Sequence, residues 1–327
     1  MNYIVMDLEW NQSAKGKQFS EEHFPFEIIQ IGAVKVNEQL DIIDEWECII
    51  KPRVYTKLQS NVKKILNITE KDLDKGTDFI SGVSEFLTWC GDDYTFVTWG
   101  SLDVMELRRN MKYYGVEEPF AKPVLYIDLQ KLYSINFSDG KSRMNLKSAT
   151  EEQGITGDEQ YHSAMSDARY TARIMKTLDF DNVKKFCSID TFTIPETRKE
   201  EVYLNFGTYE KYISKGFATR DKAADDRIVR SCKCYLCGKP MTRLVKWFAT
   251  NSKCYYGLFT CDEHGLIKGR FRVKQNDNGK YYVVRIMKNT DENGALKIYE
   301  KQIKEREHRR RRRQAEKLAR EERQENM

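Results

Sequence analysis

Residues 1–10 read MNYIVMDLEW. From Tyr3 onward the residues alternate, and successive side chains of a strand point to opposite sides. Ile4, Met6, Leu8 and Trp10 therefore share one face, and Tyr3, Val5, Asp7 and Glu9 share the other. A second apolar run, EIIQIGAVKV, follows at 27–36, and a third lies at 45–50. Three early strands with short breaks predict a meander that opens a mixed sheet.

Farther along, the spacing changes to that of helices. Helices are expected at 61–66, at 79–89 (FISGVSEFLTW), and from Leu102 to Tyr114, with Ser101 as a cap and Gly115 as the stop. Strands are expected at 95–98 and 124–128. A helix at 145–153 ends at Gly154, and another runs from near Ser163 to Leu178. Strands followed by alternating helices and strands predict an α/β domain over residues 1–187. Residues 188–227 are polar and read as a connecting segment. From 228 to 290 the chain turns to cysteines, aromatics and strand-like pieces, including a hairpin in RFRVKQNDNGKYYVVRIM (270–287) that turns at Asn276–Gly279. Residues 291–327 form a basic tail, with a charged helix from about Leu296 that carries Arg309–Arg313.

A length of 327 residues fits two domains and a tail. The net charge of +5 conceals an asymmetry: residues 1–197 carry −9 and residues 198–327 carry +14. A basic half is an electrostatic footprint for nucleic acid or another anionic surface. No apolar run approaches the ~18 residues of a membrane span. The N-terminus carries acids and no basic region ahead of an apolar one, so no secretory signal is expected and the compartment is expected to be the cytoplasm.

Asp7 and Glu9 lie two apart on one strand face. Carboxylates that close repel, and a divalent cation between them relieves the repulsion. Oxygen donors suit Mg²⁺ or Mn²⁺. Taken alone, such a pair is commonest on a solvated strand face. Here three more residues join it. Asp103 opens the helix after the strand that ends near Trp99. His162 and Asp167 lie in YHSAMSDARYTARIM (161–175). Their five-residue offset is ~140° around a helix, so His162 is expected on the preceding loop or first turn, with Asp167 pointing into the site.

The order of these motifs resembles the DEDDh branch of 3′→5′ exonucleases, within the ribonuclease-H-like superfamily. The matching residues are DLE at 7–9, Asp103 in TWGSLD, and HSAMSDA at 162–168. FEIIQIGAVKV (26–36) resembles the second strand of that family, and NLKSATEEQGI (145–155) the helix before its histidine motif. The resemblance covers about residues 1–180 and is strongest to the Eri-type RNA exonucleases. It implies a ribonuclease-H-like mixed sheet flanked by helices. Asp7, Glu9, Asp103 and Asp167 would be ligands of two Mg²⁺ (or Mn²⁺) ions and His162 the general base, with 5′-mononucleotides released from a 3′ end. Four carboxylates balance two divalent ions, the arrangement used for in-line phosphoryl displacement. An imidazole is suited to proton transfer near neutral pH. Trp10 could stack on a terminal base, but its place on the Met6/Leu8 face assigns it to the core.

A second constellation lies in the basic half. Of eight cysteines, five fall between Cys232 and Cys261. Cys234-x2-Cys237-Gly238 is followed, after 23 residues, by Cys261-x2-His264-Gly265. Two short chelating pairs of thiolates and imidazole predict one structural tetrahedral Zn²⁺ in a zinc-ribbon-like module. Cys232 and Cys254 are rival ligands. Lys246, Trp247, Phe248, Tyr255, Tyr256, Arg270, Phe271, Arg272, Tyr281 and Tyr282 mix basic and aromatic character, which suits single-stranded nucleic acid. About half of these aromatics are expected in the module's own core. The expected function is metal-dependent 3′→5′ hydrolysis of RNA or single-stranded nucleic acid. The alternatives are a DNA-directed proofreading or repair exonuclease, and an RNA-binding adaptor with a vestigial nuclease domain.

Overall fold

The computed structural model describes residues 1–66, 68–157, 161–250 and 253–325, with Lys17 and residues 317–325 as backbone only. It divides into two compact units, Met1–Phe192 and Thr193–Met327.

In the first unit, β1 (Asn2–Asn11), β2 (Glu27–Val36) and β3 (Ile42–Ile49) form an antiparallel meander. Three helices follow, α1 (Ser60–Leu66), α2 (Glu70–Asp74) and α3 (Phe79–Cys90). Next come β4 (Tyr94–Thr98), α4 (Asp103–Tyr114), β5 (Leu125–Asp128) and α5 (Leu129–Phe137). α6 (Leu146–Glu152), α7 (Ala164–Met175), α8 (Phe180–Val183) and the short β6 (Ser188–Ile189) complete the unit. The strand order is β3-β2-β1-β4-β5-β6, with β1, β4 and β5 mutually parallel. This is the ribonuclease-H-like mixed sheet expected from the sequence.

The alternation of β1 sorts two cores. Ile4, Met6 and Leu8 pack with Phe79, Val83 and Phe86 of α3 and Leu107 and Met111 of α4. Trp10 lies half-buried against that cluster, its ring 5.6 Å from that of Phe26. Tyr3 and Val5 pack on the other side with Leu132 of α5, Ala149 of α6 and Ala172 and Ile174 of α7. Each large apolar side chain buried contributes roughly 1.5–3 kcal/mol, which is why the first half of the strand at the centre of the sheet is apolar on both sides. α4 ends at Gly115, whose φ of +72° gives the left-handed turn that closes a helix. Its start differs from expectation: Leu102 precedes Asp103 at the helix N-terminus and no side chain caps it, so Ser101 is not the cap.

In the second unit, β7 (Val202–Asn205) and β8 (Tyr209–Ile213) precede the short helix α9 (Arg220–Ala224). The remaining strands are β9 (Thr242–Ala249), β10 (Cys254–Cys261), β11 (Gly265–Gln275) and β12 (Tyr281–Asn289), followed by α10 (Glu292–Glu325). They make one antiparallel sheet in the order β7-β8-β12-β11-β10-β9. The β11–β12 hairpin turns where expected, closed by the Asn276 N–H on the Lys280 carbonyl, with Gly279 at φ +75°.

Two expectations need correction. Residues 188–227 are more than a connection, since β7 and β8 extend the sheet; their alternation was masked by polar side chains on a short edge pair. α10 begins four residues before Leu296, because Asp291 accepts from the Gly294 N–H through its side chain and from the Ala295 N–H through its carbonyl. One sheet face, with Tyr255, Phe271, Val273 and Val283, packs under α9. On the other, Val245 and Leu258 pack against Ala295 and Ile298 of α10. Among the described residues, no helix is long and apolar enough to cross a membrane.

Candidate active site and cysteine–histidine centre

Asp7 and Glu9 project from the second half of β1, on the face that α7 covers. Asp167 lies in the first turn of α7. Carboxylate oxygens of Asp7, Glu9 and Asp167 lie within 4.8 Å of one another. Asp103, in the first turn of α4, stands beside them but outside that mutual distance; its Oδ1 accepts from the Leu8 N–H at 3.3 Å. The acids thus meet at the carboxyl ends of the parallel strands β1 and β4, where ligands of open α/β sheets gather.

Like charges crowd one another here. Burial raises the Asp7 carboxyl well above its ordinary range, and Asp103, Glu9 and Asp167 add repulsion. Glu9 is pushed up to about 8 by burial, with Asp167 and Asp103 contributing. Burial lifts Asp103 to about 7 despite backbone N–H donors, with Asp128 and Glu106 opposing its charge. Asp167 is raised by burial, against the stabilising His162 N–H. Among the described residues no lysine or arginine forms an ion pair with Asp7, Glu9, Asp103 or Asp167. Four acids without a cationic side chain are a donor set of hard oxygens that fits divalent cations.

His162 precedes α7, outside the helix, as its five-residue offset from Asp167 requires. Its backbone holds φ +68°, and its N–H donates to Asp167 Oδ1 at 3.4 Å, leaving the imidazole exposed. Left-handed backbone at a non-glycine residue costs of order 1–3 kcal/mol and persists where the surroundings impose it.

Two residues the motif reading passed over set the position of α7. Gly32 pairs with Asp7 across β1 and β2. A Cβ there would meet the backbone of Ala164 and Met165, with the Ala164 carbonyl oxygen at 2.6 Å. Gln30, opposite Glu9, accepts from the Ala164 N–H at 3.3 Å and donates to Glu47 at 2.7 Å. A lone glycine inside a strand pattern is the sequence signal for such a close approach.

In the second unit Cys234, Cys237, Cys261 and His264 form the other group of close donor atoms. Cys237 and Cys261 sulfurs are 3.7 Å apart, and His264 Nδ1 is 3.7 Å from the sulfurs of both Cys234 and Cys261. A tetrahedron of sulfurs about 2.3 Å from a central Zn²⁺ has edges of roughly 3.8 Å, so the spacing fits the ion. The Gly238 N–H donates to the Cys234 carbonyl, and Gly238 and Gly265 take φ of +73° and +69° in the two chelating turns. The thiols shift in opposite senses. Cys261 is lowered to about 6, chiefly by His264, whereas Cys237, despite the Lys239 N–H, is pushed up to about 11 by burial and the neighbouring sulfurs. Of the two rivals, Cys232 accepts from Arg243 Nε at 3.2 Å and Cys254 is buried in β10; neither joins the group.

Known proteins resemble a little over half of the chain. The protein of Bacillus subtilis (strain 168) named Probable 3'-5' exonuclease KapD is 28% identical over 181 residues, covering 54% of this chain and 84% of that one. Human 3'-5' exoribonuclease 1 is 26% identical over 188 residues, covering 53% of this chain and 51% of that protein, so the chain spans about half of this relative. The solved nuclease domain of 3'hExo, a DEDDh family member bound to rAMP, is 22% identical with a TM-score of 0.49, covering 58% of this chain and 96% of that one. Residues 4–175, which include all four acids and His162, match the family model described as RNase_T, exonuclease, and the chain belongs to that exonuclease family.

Proposed function

We propose that this exonuclease shortens single-stranded RNA from its 3′ end, releasing 5′-mononucleotides. Asp7, Glu9, Asp103 and Asp167 hold two Mg²⁺ or Mn²⁺ ions. The observation that carries this reading is the convergence of Asp7, Glu9 and Asp167 within 4.8 Å, their carboxyls raised and no basic side chain paired to them. When bound, two divalent cations neutralise the acids and clamp the attacking and leaving oxygens of an in-line displacement. His162, exposed at the mouth of the cluster, takes the proton of the attacking water on its imidazole. Its backbone N–H on Asp167 fixes where that imidazole stands relative to the acids.

Two human relatives carry exoribonuclease in their names, which supports RNA over DNA as the substrate class. The basic second unit, at +14 over residues 198–327, supplies long-range attraction for a polyanion that the acidic first unit lacks. One Zn²⁺ on Cys234, Cys237, Cys261 and His264 has all four positions filled by protein and is structural.

The test is degradation of 3′-labelled single-stranded RNA and DNA by the full chain, with and without Mg²⁺. RNA shortened only with the ion, and faster than DNA, is expected. Loss of all activity in Asp7→Ala is expected as well; near-normal activity in that variant overturns the two-ion reading.

A further inference from the structure

One face of the antiparallel sheet is half covered and strongly basic. Residues paired across antiparallel strands point to the same side. The register therefore builds one row across all six strands: Phe248, Tyr256, Arg270, Ile286, Lys211 and Leu204. α10 covers β9, β10 and the start of β11 on this face, where Val245, Leu258 and Leu266 pack with Ala295 and Ile298 and the Lys301 ammonium sits 4.7 Å over the Tyr256 ring. Beyond α10 the face is open. Arg270 and Arg272 of β11 and Lys288 of β12 are exposed, and Ile286 between them is 36% exposed.

The charge that the strands themselves put on this side has one sign. Lys211, Lys268 and Lys274 share it by register, and the one acid in the six strands, Glu210, pairs with Met287 on the opposite side. There it neutralises the buried Arg285 at 3.0 Å. Arg270 and Arg272 have no such counterpart: no described acid forms an ion pair with either. Like charges set side by side in a sheet cost stability, so Arg270 and Arg272, both exposed and without an ion pair among the described residues, point to an anionic occupant.

The occupant's chemistry follows from what the face offers. Basic groups repeat at about 7 Å along β11 and about 5 Å across strands, a lattice for an extended polyanion. Most rings near the two arginines are engaged: Phe248 packs against the cluster under α10, Tyr256 lies under Lys301, and Trp247, Tyr255 and Phe271 pack inside the sheet's other face, while Tyr209, opposite Lys288, lies against Phe206 with ring centroids 4.6 Å apart. Contact at Arg270 and Arg272 is thus chiefly to phosphates.

We propose that Arg270, Arg272 and Lys288 seat the phosphodiester backbone of a single-stranded stretch of RNA across β11 and β12, holding substrate independently of its sequence. This rests on the reading of the chain as an RNA exonuclease, and names a surface of the second unit that holds that substrate.

The experiment uses the full chain and a fluorescently labelled single-stranded RNA, without added Mg²⁺ or Mn²⁺ so that the strand stays intact. Anisotropy titrations at several salt concentrations compare Arg270→Glu/Arg272→Glu with Lys199→Glu/Lys222→Glu, which removes the same charge from exposed positions off this face. The arginine pair is expected to weaken binding on the order of tenfold and to reduce the log–log salt slope by about 1.4, at ~0.7 per phosphate contact on a single strand. The lysine pair is expected to leave both unchanged. Zinc content and melting temperature check folding, and Arg270→Gln/Arg272→Gln, expected to shift the slope in the same direction, replaces the reversal if either changes. Equal losses in both pairs would mean net charge acts rather than this face. No loss in the arginine pair would assign the face to another partner, such as an acidic protein. Either outcome overturns the proposal. Adding Mg²⁺ separates the two readings. A wild-type chain that leaves the RNA unshortened sinks the functional reading whatever the binding result. A chain that shortens RNA while the arginine variant binds as wild type sinks this surface alone.

Discussion

Gly32 of β2 lies directly beneath the backbone of Ala164, at the start of the helix that carries Asp167. Because Gly32 also pairs with Asp7, one missing side chain sets the distance between the acids of β1 and the acid of α7. Gly32→Ala should push the first turn of α7 outward. Overpacking of this kind costs about 1–3 kcal/mol, while a displacement near 1 Å at a reacting centre can cost ~10²-fold in rate. We expect kcat/KM to fall on the order of a hundredfold with only a modest drop in melting temperature. Unaltered turnover in a folded variant would show that the α7–β2 approach does not set the site.

Replacement of His162 by alanine should lower kcat roughly 10²–10⁴-fold, the usual worth of a general base. The acids remain, so affinity for Mg²⁺ should barely change. The limb of the pH–rate profile that reports the base should vanish with the side chain; a profile that keeps it would remove His162 from proton transfer.

The metal-free protein should lose stability as pH rises. Glu9 at about 8 and Asp103 at about 7 hold protons in the folded state that the unfolded chain releases near ordinary carboxylate values. Raised acids favour the fold at low pH, and that contribution is lost progressively from about pH 4.5 up through pH 8. Thermal melting without added divalent ion should therefore show a falling midpoint across this window. Mg²⁺ should restore it most at the alkaline end, and Asp7→Asn should melt higher than wild type in metal-free buffer at pH 8. A midpoint that climbs from pH 5 to 8 without metal would contradict the crowded-acid description.

Freshly purified protein should carry one Zn²⁺ per chain, lost in Cys234→Ser or Cys261→Ser. Structural zinc contributes folding free energy directly, so those variants should expose cleavage sites in the second unit while residues 1–192 stay resistant. Cys232→Ser should keep its zinc, since that sulfur lies outside the donor group. Elemental analysis and limited proteolysis decide both points.

Much of the first unit was legible because its signals are local and strong. β1 sits mid-sheet between two helical layers, so its alternation sorts cleanly into two cores. α5 was hidden for a definite reason: Asp128 is both the last residue of β5 and the residue whose side chain caps α5 through the Lys131 N–H. No turn residue separates the two elements. Asp7 and Glu9 stood out by their spacing on one strand, whereas the set with Asp103 and Asp167 came from the resemblance; Asp103 lies outside the closest group and accepts from the Leu8 N–H. The aromatics of 228–290 divide by strand parity, which only the register of β10 and β11 reveals.

The docking of α7 on β2 also has a consequence in time. Asp7 and Asp167 are 160 positions apart in the chain. Contacts of such long sequence separation form only after most of the intervening loop entropy has been overcome, and they slow folding. Domains emerge during synthesis at about 5–20 residues per second. A growing chain thus spends roughly ten seconds or more with Asp7 and Glu9 already made and no helix to complete them. Assembly of the acidic cluster is a late folding event that waits for the helix ending at Met175 to emerge and close over Gly32.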